Sequence, residues 1–218
     1  MTMFNINKAN YYADINEIQM LMAKYIMNIH KMDFKSSYDD LMANNHPEIS
    51  FEYMESGEYK GPEKVKAYMY ALDDTFRTPR DKKGYMGLQH INTPKIIIND
   101  EGNRARGNWT ILSPWAMQAY PYPGDERKLT AMWFIGRYSC EFIKIDQKWK
   151  ILKVHLVSYV RTPYDQGWVR QPDAMPIKPM PALRPDNPPR YYTYHPGCAY
   201  THDNIFNWGP YLPKETDF

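Results

Sequence analysis

The spacing of apolar residues changes once along this chain, and that change restricts the fold more than any other feature. Up to Phe76 apolar residues recur at helical intervals; from Leu88 they gather in long strand-like runs. Asp14, with Glu17 three residues on, reads as a capping box ahead of the stripe Ile15, Ile18, Met22, Tyr25 and Ile29. A short second helix is expected from Ser36 or Ser37 to the stop at Asn44-Asn45-His46-Pro47. Residues 49–61, ISFEYMESGEYKG, alternate as a small hairpin turning at Ser56-Gly57. Gly61-Pro62 then opens a third helix whose buried stripe is Val65, Tyr68, Met69, Leu72 and Phe76. Strands are expected over 88–99, 104–112, 129–145 and 149–161, with a loop across 113–128. Three helices followed by an antiparallel meander define an α+β plan. N-terminal helices packed on a strongly curved, mostly antiparallel sheet would enclose a pocket.

Two units follow, a domain over 1–165 and an extended arm over 166–218. The arm holds most of the 18 prolines and has almost no periodicity. Its Tyr191, Tyr192, Tyr194, Tyr200, Phe206, Trp208 and Tyr211 argue against a disordered tail and for docking on this subunit or a neighbour. Aromatic residues make up 15% of the chain, which suits half-wet pockets and interfaces as well as a large core. The net charge of +2, with both signs interspersed, gives no footprint for nucleic acid or a membrane surface. Two cysteines make no disulfide framework, and no run of apolar residues suits a membrane span. A soluble, cytoplasmic protein is expected.

The order of elements resembles the SnoaL-like branch of the nuclear-transport-factor-2-like (NTF2-like) superfamily. The likeness rests on the helix carrying Tyr25, on SYDDLMANNHPEISFEY and EYKGPEKVKAYM, on QHINTPKIIINDEGNRARGNW, and on KIDQKWKILKVHLVSYVR. It spans roughly residues 10 to 165 and implies a cone-shaped fold. Within that superfamily the chain looks most similar to the group typified by scytalone dehydratase and bile acid 7α-dehydratase, lyases that eliminate water beside a carbonyl without a cofactor. The resemblance places His90 at the strand histidine and Arg161 at the last-strand arginine. Alignment on Tyr25 puts His30 at the acid position, whereas alignment on Tyr38 puts Asp33 there.

Elimination of water beta to a carbonyl needs a base for the C–H, a donor for the enolate oxygen and an acid for the leaving hydroxyl. His90, Tyr25, Asp33 or His30, and Arg161 supply these roles without metal or cofactor. His155 is a second histidine candidate, because strand parity puts it with Trp149, Ile151 and Arg161. Trp109, Trp115 and Trp133 are candidate substrate-binding residues. Each also has a structural reading: core packing for Tyr25 and His90, a helix cap for Asp33 or His30, an ion pair for Arg161. His195, Cys198, His202 and Asp203 form too thin a set for zinc, so no metal is expected. The expected activity is a dehydratase acting on a small hydrophobic, cyclic or aromatic carbonyl compound. Isomerase or polyketide-type cyclase chemistry in the same pocket, or a non-catalytic binding or assembly role, are the alternatives. A homodimer or higher homo-oligomer with the arm contributing is expected, so deleting residues 172–218 should change the mass measured by light scattering. A stable dimer unaffected by the deletion would exclude that role for the arm.

Overall fold

The computed structural model describes residues 3–80, 83–118, 129–170 and 183–187. Helix α1 (Met3–His30) begins well before Asp14, so Asp14 and Glu17 do not cap it. They fasten its middle to the sheet instead. Asp14 Oδ1 accepts from Trp149 Nε1 at 2.9 Å and pairs with Lys144 Nζ at 2.7 Å; Glu17 Oε1 accepts from the Trp149 N–H at 2.9 Å. Met32, at φ 53, ends the helical path, and Asp33 caps the short α2 (Phe34–Ser36). A π-helical turn, Ser37–Leu41, completes the expected second helix. Asp73 of α3 (Pro62–Arg80) accepts from the Phe34 N–H at 3.0 Å and holds this corner in place.

The strands are β1 (Ser50–Tyr53), β2 (Glu58–Lys60), β3 (Met86–Gly87), β4 (His90–Ile91), β5 (Lys95–Ile98), β6 (Arg104–Gln118), β7 (Leu129–Ile145) and β8 (Lys148–Pro163). The sheet runs β2-β1-β8-β7-β6, with β3, β4 and β5 lying in succession along the free side of β6. Among the strands named, only β1 and β8 pair in parallel, Glu52 opposite His155. A short α4 (Gly167–Arg170) follows β8. Contrary to the loop expected from residue 113, β6 continues through Pro114 to Gln118. The Leu88 N–H donates to the Pro114 carbonyl, so the proline nitrogen faces the same broken edge, between β4 and β3. No ladder bond is lost there.

Two bulges bend β8. Its register against β7 skips Leu152, between the Ile151–Phe142 and Lys153–Glu141 pairs, and Tyr159, between the Ser158–Gly136 and Val160–Ile135 pairs. Each extra residue reverses which side chains face the helices. At the second bulge a Cβ on Gly136 would stand 2.2 Å from the Val157 carbonyl oxygen, so only glycine fits. The core lies between the helices and the sheet face carrying Trp109, Phe134, Tyr138, Cys140, Phe142, Trp149, Ile151, Val154 and Leu156.

Within the expected arm, residues 183–187 lie on the chain's own β2. Asn187 bridges Glu58 in antiparallel fashion, with the Glu58 N–H donating to the Asn187 carbonyl at 3.0 Å and the Asp186 N–H to the Glu58 carbonyl at 2.8 Å. Tyr59 Oη donates to the Leu183 carbonyl at 3.1 Å, and Asp186 accepts from the Lys60 N–H at 2.9 Å and pairs with Lys64. This strap covers an edge that would otherwise invite another strand. Gly57, at φ 85, leaves room for it: a Cβ there would meet the Asn187 carbonyl oxygen and the Pro185 ring at 2.7 Å. The aromatic residues of the arm named above, from Tyr191 onward, lie outside the described residues, as do His195, Cys198, His202 and Asp203.

Lys64 first, then the Lys60 N–H, hold the Asp186 carboxyl below the usual carboxylate range. A lowered pKa stabilises docking above the ordinary range, and that contribution disappears as pH falls through the folded value. Because the pair is exposed, Asp186→Ala should raise hydrogen exchange at the Glu58 amide only about two- to fivefold at neutral pH. The difference from wild type should vanish in acid. Identical exchange at neutral pH would show that Asp186 does not hold the strap.

Candidate functional site

Four tyrosines from four elements meet inside the cone: Tyr25 of α1, Tyr53 of β1, Tyr68 of α3 and Tyr138 of β7, all essentially buried. The Tyr25 and Tyr138 rings meet edge-on at 5.7 Å, and Tyr68 stacks on Tyr59 of β2 at 3.9 Å. A polar run enters this apolar volume from the end of α1. The Gln89 N–H donates to His30 Nε2 at 2.9 Å, and Tyr138 Oη donates to Gln89 Oε1 at 2.9 Å. The Gln89 carbonyl also lies 3.0 Å from His30 Nε2. The backbone of Gln89 therefore satisfies either neutral tautomer of His30. With Nε2 protonated and donating to that carbonyl, Nδ1 keeps its lone pair.

Burial pushes the Tyr25 phenol well above its ordinary pKa, with Cys140, Tyr53 and Tyr68 adding to the shift and Tyr138 partly opposing it. Tyr138 is raised in the same way, chiefly by burial and then by Tyr25, Tyr53 and Cys140. Burial thus holds both phenols in their neutral, protonated form. The Cys140 thiol is likewise pushed up by burial and then by Glu141.

The residues singled out from the sequence do not all come together. Tyr25, Trp109 and Trp115 face the interior; Trp109 packs edge-on against Phe142 at 5.9 Å, and Trp115 Nε1 donates to Ser113 Oγ. His30 is half-buried and tied to Gln89. Asp33 spends Oδ1 on the Ser36 N–H at 3.0 Å, the cap that its place at a helix start allows. His90 is exposed on β4 opposite Leu112, itself 42% exposed. Successive strand residues take opposite faces, so the buried member of the pair is Gln89, at 3% exposure. Arg161 is buried opposite the core residue Phe134, with Nη1 3.7 Å from Met54 Sδ.

His155 and Trp133 occupy the other face of the sheet. The shared parity of Trp149, Ile151 and His155 fails because the bulge at Leu152 intervenes. Val154 and Leu156 enter the core, and His155 between them stands 3.6 Å from Glu52, a carboxylate with no exposed surface. Trp133, flanked by the core residues Met132 and Phe134, has its ring 6.5 Å from Tyr164. Two buried participants were missed from the sequence, Gln89 and Glu52. Nothing local marks Gln89 except its place beside a histidine; Glu52 is the polar member of an alternating strand. An open cleft of about 510 Å³, lined by Met42 to Pro47 and by Ile145, Asp146, Lys148 and Lys150, contains none of these residues. Among the described residues no cluster of three or more His, Cys, Asp or Glu could hold a metal ion, and no helix is long and apolar enough to cross a membrane.

Residues 10–155 match the family described as a SnoaL-like domain. No curated protein matches the sequence. Among solved structures, a candidate scytalone dehydratase from Novosphingobium aromaticivorans is similar at 13% identity, over 80% of this chain and 97% of that one, with a TM-score of 0.54. The hexachlorocyclohexane dehydrochlorinase LinA-type3 from Novosphingobium barchaimii gives 14% identity, 78% and 99% coverage and a TM-score of 0.54. A protein of the NTF2-like superfamily from Salmonella enterica serovar Typhimurium gives 19%, 72%, 99% and 0.53. At these identities the likeness establishes a shared cone-shaped α+β fold.

The raised phenols of Tyr25 and Tyr138 fix a pH dependence. A group whose folded pKa lies above its unfolded value contributes stability below about 10 that is lost as pH rises further. In an alkaline absorbance titration these two tyrosines should ionise only together with unfolding, and Tyr25→Phe should shift the alkaline unfolding midpoint upward. Ionisation of every tyrosine in the intact fold would contradict their burial.

Proposed function

Because this chain belongs to the SnoaL-like domain family, we propose that it is a small-molecule lyase or isomerase working by acid–base chemistry inside the cone. The observation that carries this reading is the polar run His30–Gln89–Tyr138, ending beside Tyr25, through an otherwise apolar core. Buried polar side chains are costly in a core and gather where chemistry needs them. Tyr25, kept neutral by burial, donates to an oxygen that becomes an enolate when an adjacent C–H loses its proton, while Tyr138 holds the Gln89 amide beside it. His30, half-buried at the end of α1, takes that proton on Nδ1 while Nε2–H stays on the Gln89 carbonyl. If the protonated imidazole returns it to a leaving hydroxyl, water is eliminated; if it returns it to another carbon, the compound is isomerised. Dehydration of a hydrophobic cyclic or aromatic carbonyl compound is the favoured case, and the reaction needs no cofactor. Arg161 and the indoles of Trp109 and Trp115 contribute binding surface deeper along the same face. His90, Asp33, His155 and Trp133 have no part in this mechanism.

One observation favours a second reading, a binding or assembly protein without turnover: the histidine expected at the strand position, His90, is exposed. The two readings separate on a set of cyclic and aromatic β-hydroxy ketones followed by mass spectrometry. Loss of one water marks a lyase, and a new isomer of unchanged mass an isomerase. Tyr138→Phe and His30→Ala should each lower turnover by roughly 10²–10⁴-fold while the circular dichroism is retained. Binding without conversion across the set would leave the non-catalytic role, and full turnover in both variants would remove Tyr138 and His30 from the mechanism.

A further inference from the structure

Two buried donor groups in the interior, Gln89 Nε2 and Tyr25 Oη, close no hydrogen bond of good geometry with the described residues. Gln89 gives its side-chain Oε1 to Tyr138 and its backbone to His30, yet its Nε2 closes no hydrogen bond of good geometry among the described residues. The Tyr25 hydroxyl, in a residue with no exposed surface, lies near Tyr138 but closes no hydrogen bond of good geometry there. Both groups flank one side chain: Tyr138 is hydrogen-bonded to Gln89 and meets the Tyr25 ring edge-on. A fold leaves few buried polar hydrogens without an acceptor, and each marks the place where a water or a ligand oxygen belongs. Two such donors on either side of one phenol match the two lone pairs of a single acceptor oxygen.

Resting on the reading of the interior as a small-molecule site, we propose that Gln89 Nε2 and Tyr25 Oη together hold the carbonyl oxygen of an uncharged ketone or aldehyde. Gln89 is then a substrate-binding residue in its own right. Its backbone is clamped by His30 and its side-chain oxygen by Tyr138, so the remaining N–H group arrives already oriented and little ordering accompanies binding. The surroundings select for charge as well as shape. Tyr25 sits among Tyr53, Tyr68, Tyr138 and Cys140, and the burial that keeps its phenol neutral would also oppose a carboxylate placed against it. A ketone oxygen brings no net charge and finds two donors. It also gains electron density on enolisation, when both hydrogen bonds strengthen.

The test uses the full chain with two probes of similar size, 1-tetralone and 1-naphthoate. Binding is measured by calorimetry, and the carbonyl stretch of bound tetralone by infrared difference spectroscopy. Saturable tetralone binding is expected, with the stretch moved to lower frequency than in an alkane solvent, and naphthoate should bind at least tenfold more weakly. Gln89→Leu should weaken tetralone binding about tenfold, as for one lost hydrogen bond, and return part of the frequency shift. Tyr25→Phe removes a single hydroxyl and should return the other part, so it decides the matter if Gln89→Leu does not fold. An unshifted carbonyl, a shift that survives both substitutions, tighter binding of naphthoate, or no saturable tetralone binding would each overturn the proposal. Turnover without this spectroscopic signature would remove the Gln89–Tyr25 assignment and leave the enzymatic reading; the signature without turnover would do the reverse.

Discussion

The two extra residues in β8, Leu152 and Tyr159, control which side chains the rest of the fold can use. A strand exchanges its faces when one residue is inserted, and β8 does so twice between Trp149 and Arg161. Trp149 and Ile151 therefore enter the core, His155 leaves it, and Arg161 returns opposite Phe134. The bends also curve the sheet around α1, with Gly136 making space for the Val157 carbonyl at the second bend. Without them the concave face would present a different set of residues to the helices.

What this curvature encloses is more polar than a core requires. Phe34, Phe51, Phe142 and Trp109 supply the apolar bulk, but tyrosines and an amide occupy the middle. Each hydroxyl or amide removed from water is destabilising unless paired, by about 1–3 kcal/mol where it is left unmade. The His30–Gln89–Tyr138 chain recovers part of that cost. Long side chains of α1 bind the other end of the structure: Asp14 and Glu17 lock the helix to Trp149 and Lys144 of the final hairpin. The same helix thus carries the fastening at its middle and His30 at its end, which keeps the polar run in register with the sheet.

The strap at 183–187 shows a different economy of design. It adds one bridge to the short edge strand β2, and most of its contacts are to backbone or to exposed lysines. Elements held by few buried contacts open more readily than the strands beneath them. Its chief effect is to cover an edge and to lay Leu183 beside the Tyr59–Tyr68 stack, at the rim of the aromatic interior.

The sequence by itself determined the order of elements. Helical spacing through Phe76, strand runs from Leu88, the turn glycine at 57 and the start at Pro62 are local signals, set by backbone preference and the burial of one face. It also placed Tyr25 on the buried face of its helix, because a helical stripe reports burial directly. Tertiary structure alone decided the rest. Asp14 and Glu17 look like a capping box, yet their partners lie more than a hundred residues away. Pro114 reads as a loop residue until the broken edge beside it is seen. The choice between His90 and Gln89 turns on which of two neighbours faces inward, and the parity of His155 turns on a bulge. Composition and spacing record how often a residue is buried, but a one-residue change in strand register reverses the answer. That register is set by pairing across the whole sheet.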